Sequence, residues 1–175
     1  MIKTQITDGG MAQEGFLNEY NDCAVRALAL STGITYRKAH TFLAVEGRRD
    51  RKGTKLPQVK RALVNLCNDS SIANYQEIVT STPIIHALYG YTISQKYPTL
   101  QDTIRKYNVG RYLIIATGHA LALIDGVVHD KGQISGPRSR VRNIFKITLA
   151  EPEQVIITQS QVNELWARLD KLEGK

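Results

Sequence analysis

The chain has 175 residues, 42% of them hydrophobic and 22% charged, with a formal net charge of +7 at neutral pH. That length suffices for one domain with a full core, 1–175, and the composition excludes disordered, collagen-like and disulfide-stapled classes. No apolar run approaches a membrane span, and MIKTQITDGG lacks the basic-then-apolar build of a secretory signal, so a cytoplasm is the expected compartment.

Taken in chain order, residues 1–15 carry Asp8-Gly9-Gly10 and Gly15 and read as a loop-rich opening. A first helix follows, with Asn21 or Asp22 as N-cap, Ala24, Ala27, Leu28 and Leu30 toward one buried side, and Gly33 as its stop. Thr35 caps a second helix through about Glu46, burying Ala39, Phe42 and Leu43 before Gly47. Leu56-Pro57 opens a third helix, where proline suits the first turn; Val59, Leu63, Leu66 and Cys67 form its stripe. At that spacing Cys67 is a core residue.

Tyr75 to Thr80 reads as a short strand, and Pro83 to Tyr91 as a helix turn or irregular segment. In PTLQDTIRKY, Thr99 with Asp102 makes a capping box, and the helix buries Leu100, Ile104 and Tyr107 before Gly110. RYLIIATGHALALIDGVVHD is strand-like, with a hairpin turn at Asp125-Gly126, and NIFKITLA and VIIT follow as further strands. An amphipathic helix over 158–173, with Val162, Leu165, Trp166, Leu169 and Leu172 on one face, ends the chain. N-terminal helices followed by a mostly antiparallel sheet make an α+β domain.

Positive charge is uneven. Arg48, Arg49, Arg51 and Lys52 sit in one cluster and Arg138, Arg140 and Arg142 in another. Each can attract an acidic protein partner or nucleic acid, or can simply be a solvated face; no nucleic-acid recognition signature accompanies them. With two cysteines, no CxxC and no regular histidine spacing, neither a disulfide framework nor a structural zinc site is expected, and no cofactor motif is present.

Cys23 lies at the start of the first helix, where unpaired N–H groups and the helix dipole favour an anion. Alone it reads as a buried thiol, but such a position also lowers a thiol's pKa and makes a nucleophile. His119 lies in a strand directly after Thr117-Gly118, where a sheet edge can face a helix terminus and an imidazole can hold a thiolate and later protonate a leaving group. If Asp125-Gly126 is a two-residue turn, Ile124 pairs with Val127 and Leu121 lies opposite Asp130. Asp130 is then the diagonal neighbour of His119 on one face, and His129 points to the other. A donor for a developing oxyanion is also required, for which Asn18 and Gln13 are the side-chain candidates.

The pattern NDCAVRALAL, then more than ninety residues on GHALALIDGVVHD, resembles the papain-like cysteine peptidases of the compact kind found in bacteria and phages. The resemblance spans about 18–131. It implies a papain-like fold, Cys23 as nucleophile, His119 as general base and acid, Asp130 as the orienting residue, and a peptide or protein substrate. For a phage protein the compartment would be the host cytoplasm. Two features depart from the family: Leu17 stands six residues before Cys23, where papain has glutamine, and no tryptophan follows the cysteine. NDCAVRAL is also similar to the nucleophile segment of ovarian-tumour-type deubiquitinases, but Tyr20 stands where those carry aspartate. The alternatives to a hydrolase are a non-catalytic binder on such a scaffold, acting through its basic patches, and an assembly component contacting through its last helix.

Overall fold

The computed structural model describes residues 2–78, 82–86, 92–132, 136–150 and Arg168. The predicted strand VIIT and the terminal amphipathic helix with Trp166 lie outside the described residues. What is described is α+β, with three helices preceding most of a six-stranded mixed sheet.

Helix α1, Cys23–Thr32, ends where Gly33 turns into the left-handed region at φ 74°, its N–H bonding back to the Ala29 carbonyl. Helix α2, Tyr36–Val45, starts at Thr35, whose hydroxyl accepts from the Lys38 N–H at 3.2 Å. Helix α3 runs Leu56–Asn68 with proline in its first turn. Helix α4, Leu100–Lys106, is capped by Thr99, and the Thr99 and Asp102 side chains bond each other. An exposed cap makes a simple test: Thr35→Ala is expected to lose about 1 kcal/mol in urea unfolding without moving the site.

The strands of the sheet are β1 (Lys3–Ile6), β2 (Ile72–Ile78), β5 (Arg111–Ala116), β6 (His119–Ile124), β7 (Val127–Asp130) and β8 (Val141–Leu149), in the order β1-β7-β6-β5-β8-β2. Strands β3 (Thr82–His86) and β4 (Thr92–Lys96) pair separately as an antiparallel hairpin. Asp125 and Gly126 both have positive φ, 46° and 77°, the type I′ geometry that two-residue hairpins prefer, and Ile124 pairs with Val127 as expected. The long apolar run is not one strand: Thr117-Gly118 folds it into the β5–β6 hairpin, with Ala116 opposite His119.

Two further expectations are corrected. The opening segment is not all loop, because Lys3–Ile6 forms β1, parallel to β7. Its partner lies more than a hundred residues away and most of the strand is exposed, so KTQI carries no alternating pattern that marks it. The stretch from Pro83 does not begin as a helix turn, since Thr82–His86 is a strand.

Alternation along the strands makes two cores. On one side Leu113, Ala120, Phe145 and Ile147 pack against Val25, Leu28, Leu43 and Leu63 of α1–α3. On the other, Tyr112, Ile114, Leu121, Leu123 and Ile144 gather around Leu100 of α4. Helix α1 lies chiefly on β6, which carries its N-terminus to the head of that strand. Among the described residues no helix is long and apolar enough to cross a membrane.

Candidate active site

Asp22 occupies the N-cap position of α1, but its carboxylate makes no capping bond. It is turned inward, accepting from the Arg26 guanidinium and from the Tyr36 hydroxyl, the latter at 2.9 Å. The first turn of α1 therefore keeps its N–H groups free of a side-chain cap, and Cys23 is the first residue of that turn. Its side chain is partly buried against the first core.

The β5–β6 hairpin delivers the histidine. Gly118, at φ 72°, makes the tight turn, and His119 emerges as the first residue of β6. Its Nε2 lies 2.5 Å from Asp130 Oδ2 at the end of β7. With Nε2 taken by the carboxylate, Nδ1 is the nitrogen left for the thiol, and Cys23 shares the cavity wall with the ring and helps raise its pKa. Asp130 is 3% exposed, so its pull on the imidazole is little screened by water. The structure thus brings Cys23, His119 and Asp130 into one chain of contacts. His129, pairing with Ala122, faces a separate cavity with Gln5, Gly33 and Arg111.

The electrostatics favour separated charges. Burial pushes the Cys23 thiol up. Hydrogen bonds from the His119 ring and the Ala120 N–H, with the positive charges of His119 and Arg26, outweigh it and bring the pKa below the ordinary value. The Asp130 hydrogen bond, and then that of Cys23, push His119 up to about 9 against its own burial. Cys67 is the contrast: burial raises its thiol, with only one backbone bond opposing. It packs at the margin of the core, as its place on the α3 stripe implies.

Cys23 and His119 open into a cavity of about 390 Å³ lined also by Glu19, Tyr20, Asn21, Gly118 and Lys131. That volume falls within the range of small-ligand sites and accommodates a side chain or two of an extended peptide. Neither oxyanion candidate lines it: Gln13 and Asn18 are both exposed and stand outside the cavity wall. The amide side chain that does line it is Asn21, in the left-handed region at φ 55° and donating to the Arg51 carbonyl at 3.2 Å.

Arg48 is not part of a surface patch. It is 4% exposed, with Nη2 2.5 Å from Glu19 Oε1, which also accepts from the Arg51 N–H at 2.8 Å. Glu19 thereby ties the turn after α2 to the segment that leads into Cys23. Arg49, Arg51 and Lys52 remain exposed, with the Arg51 guanidinium over the Tyr20 ring. In the second cluster Arg138 is exposed, Arg140 donates to the Tyr97 carbonyl, and Arg142 covers the Tyr97 ring.

Glu19, His40 and Asp50 bring ligand-type atoms within 4.8 Å of one another. Arg48 and the Arg51 N–H already supply positive charge to Glu19, so this group is better suited to an ion-pair cluster than to a divalent cation. Arg26, Tyr36 and Glu19 were not singled out from the sequence, and Asp22 only as a possible cap. One signal was present: Arg26 is a lone charge within CAVRALAL, one turn after Asp22, where a solvated arginine would not be expected. In comparisons with known proteins, no family model, no curated protein and no solved structure matches the chain significantly.

Proposed function

We propose that this chain is a cysteine-nucleophile hydrolase that transfers the acyl group of an amide or thioester through a Cys23–His119–Asp130 triad on a papain-like scaffold. The observation that carries the reading is the Nε2–Oδ2 contact of 2.5 Å between His119 and Asp130, on a ring whose other side meets a thiol at a helix N-terminus. The Cys23 thiolate attacks the acyl carbon. The C–N bond breaks as the imidazolium gives its proton to the departing amine, and the acyl group is left as a thioester. His119 then takes a proton from water as the water attacks, and the thiolate leaves. The N–H of Cys23 itself is available to the oxyanion, since the first N–H groups of a helix have no intrahelical partner. Hydrolysis is the simplest outcome; transfer to an amine or deamidation of a glutamine uses the same acyl-enzyme.

The reading places the protein in a cytoplasm, the host's if it is phage-encoded, with a peptide or protein substrate. A second reading, a binding protein without turnover, draws support from exposed Arg49, Arg51 and Lys52, with Arg51 over the Tyr20 ring of the cavity wall, which suit an acidic partner or nucleic acid. A peptidyl vinyl sulfone separates the two. A hydrolase gives one adduct, on Cys23 and not Cys67, that His119→Ala abolishes. A binder gives no Cys23 adduct and loses its partner when Arg49, Arg51 and Lys52 are reversed in charge.

A further inference from the structure

Arg26 is a buried charge that the triad chemistry does not call for. It projects from α1 one turn beyond Cys23 and is 8% exposed. One arm of the guanidinium donates to Asp22; the other, Nη2, lies 3.7 Å from Asp130 Oδ1. The loop at Gly9 lies against its Cα and side-chain stem, within 3.4 to 3.6 Å of where a Cβ would stand. A Thr7 N–H bond to the Asp130 carbonyl, 2.9 Å, ties that loop to β7. Arg26 is therefore enclosed between the nucleophile's helix, the strand of the third triad residue and the opening segment.

We infer that Arg26 is a positioning residue for the proposed triad: clamped by Asp22, its guanidinium holds Asp130 in register with His119 and ties α1 to β7, fixing the distance between nucleophile and base. This rests on the triad reading. The division of labour on Asp130 supports it. Oδ2 takes His119, while Oδ1 accepts from the Lys131 N–H at 2.7 Å and faces Arg26, so neither oxygen is free to rotate away. Asp22 is equally committed, one oxygen to Arg26 and the other to Tyr36.

The charged and titratable groups around this centre come from α1, α2, β6 and β7, with Glu19 in the cavity wall. Helix α1 supplies Cys23, Asp22 and Arg26, strand β6 supplies His119, and β7 supplies Asp130. Helix α2 contributes the Tyr36 hydroxyl, and Lys131 stands at the cavity wall. Strand β5 brings Arg111 to the far end of α1, on the Leu30 and Ser31 carbonyls, and β8 meets the helices through Phe145 and Ile147. Two buried carboxylates thus share one buried guanidinium. Without it Asp22 would keep only the Tyr36 hydroxyl, and Asp130 only His119 and the Lys131 N–H, with no cation fixed between the two carboxylates.

The test is the pH midpoint of Cys23 alkylation in wild type, Arg26→Gln, Asp130→Asn and the double variant, with Cys67 protection in the same samples reporting the fold. Arg26→Gln is expected to raise the midpoint by about one pH unit, tenfold slower alkylation at a fixed pH below it. In the Asp130→Asn background the same change should shift it much less. Arg26→Lys, which keeps the charge but not the fork, should restore part of the shift. An unmoved midpoint, or shifts that add, overturns the inference. If Arg26→Gln does not fold, Asp22→Asn is read in the same cycle. There a raised midpoint that Asp130→Asn suppresses supports the clamp, and a lowered, unchanged or additive one overturns it. A wild-type midpoint no lower than that of a free thiol would instead sink the ion pair and the hydrolase reading with it.

Discussion

Iodoacetamide should alkylate Cys23 of the wild-type protein at pH values where a free thiol, with a pKa of about 8.5, scarcely reacts, while Cys67 stays inert until more alkaline pH. In His119→Ala the hydrogen bond and the positive charge go but the burial remains, so the Cys23 midpoint should rise past the free value toward that of Cys67. Hydrolysis has a different profile. It needs a thiolate and a protonated imidazole together, so its rate should rise through the lowered Cys23 pKa and fall as His119 loses its proton near 9. Alkylation needs only the thiolate and should not fall on the alkaline side. The sign for stability follows the same shift: the contribution of charged His119 is complete below its unfolded pKa of about 6.5 and is lost as pH rises through about 9. Cys23→Ala should reduce turnover by about 10³-fold or more, measured on any substrate the vinyl sulfone peptide identifies. A monotonic hydrolysis profile with no alkaline limb would exclude His119 as the acid.

The largest expected effect on stability lies away from the triad. Glu19→Ala should cost about 3–5 kcal/mol in urea unfolding, because it strands the Arg48 guanidinium, whose side chain is 0% exposed. Two of its nitrogens, Nε and Nη1, already lack a hydrogen-bond partner, so no second acceptor waits to replace the lost carboxylate. That is a large share of the 5–15 kcal/mol that holds a typical domain together. Glu19 also anchors the Arg51 N–H beside Tyr20 and Asn21, so the cavity wall should loosen before the molecule unfolds, raising Cys23 accessibility at low denaturant. Glu77→Ala provides the control. Its ion pair with Lys60 is 36% and 41% exposed, and its loss should cost no more than about 1 kcal/mol. Equal losses in the two variants would show that Glu19 is not the hub of this loop.

The sequence by itself determined whatever depends on near neighbours. The helix starts at Thr35, Leu56-Pro57 and Thr99, the stop at Gly33 and the Asp125-Gly126 turn are all local chemistry, each set by residues within a turn of one another. The relation of His119 to Asp130 was legible for the same reason, since a two-residue turn and a period of two fix which side chains share a face. Pairing across the chain was not legible. Strand β1 is made by its partner β7, and nothing in KTQI announces that partner. The basic run at Arg48 read as surface because its compensating charge, Glu19, lies twenty-nine residues away. Asn21 or Asp22 read as a simple cap; Asp22 holds that position, yet its carboxylate is claimed by Arg26 and Tyr36 and leaves the helix N-terminus open beside Cys23. Likewise Asn18 and Gln13 were chosen by distance along the chain, whereas the fold sets Asn21 in the cavity wall through a left-handed turn braced by Arg51. A residue's charge and shape are written in the sequence; which opposite charge it meets in a low-dielectric interior is decided only when distant segments pack, and that choice fixes the chemistry open to Cys23.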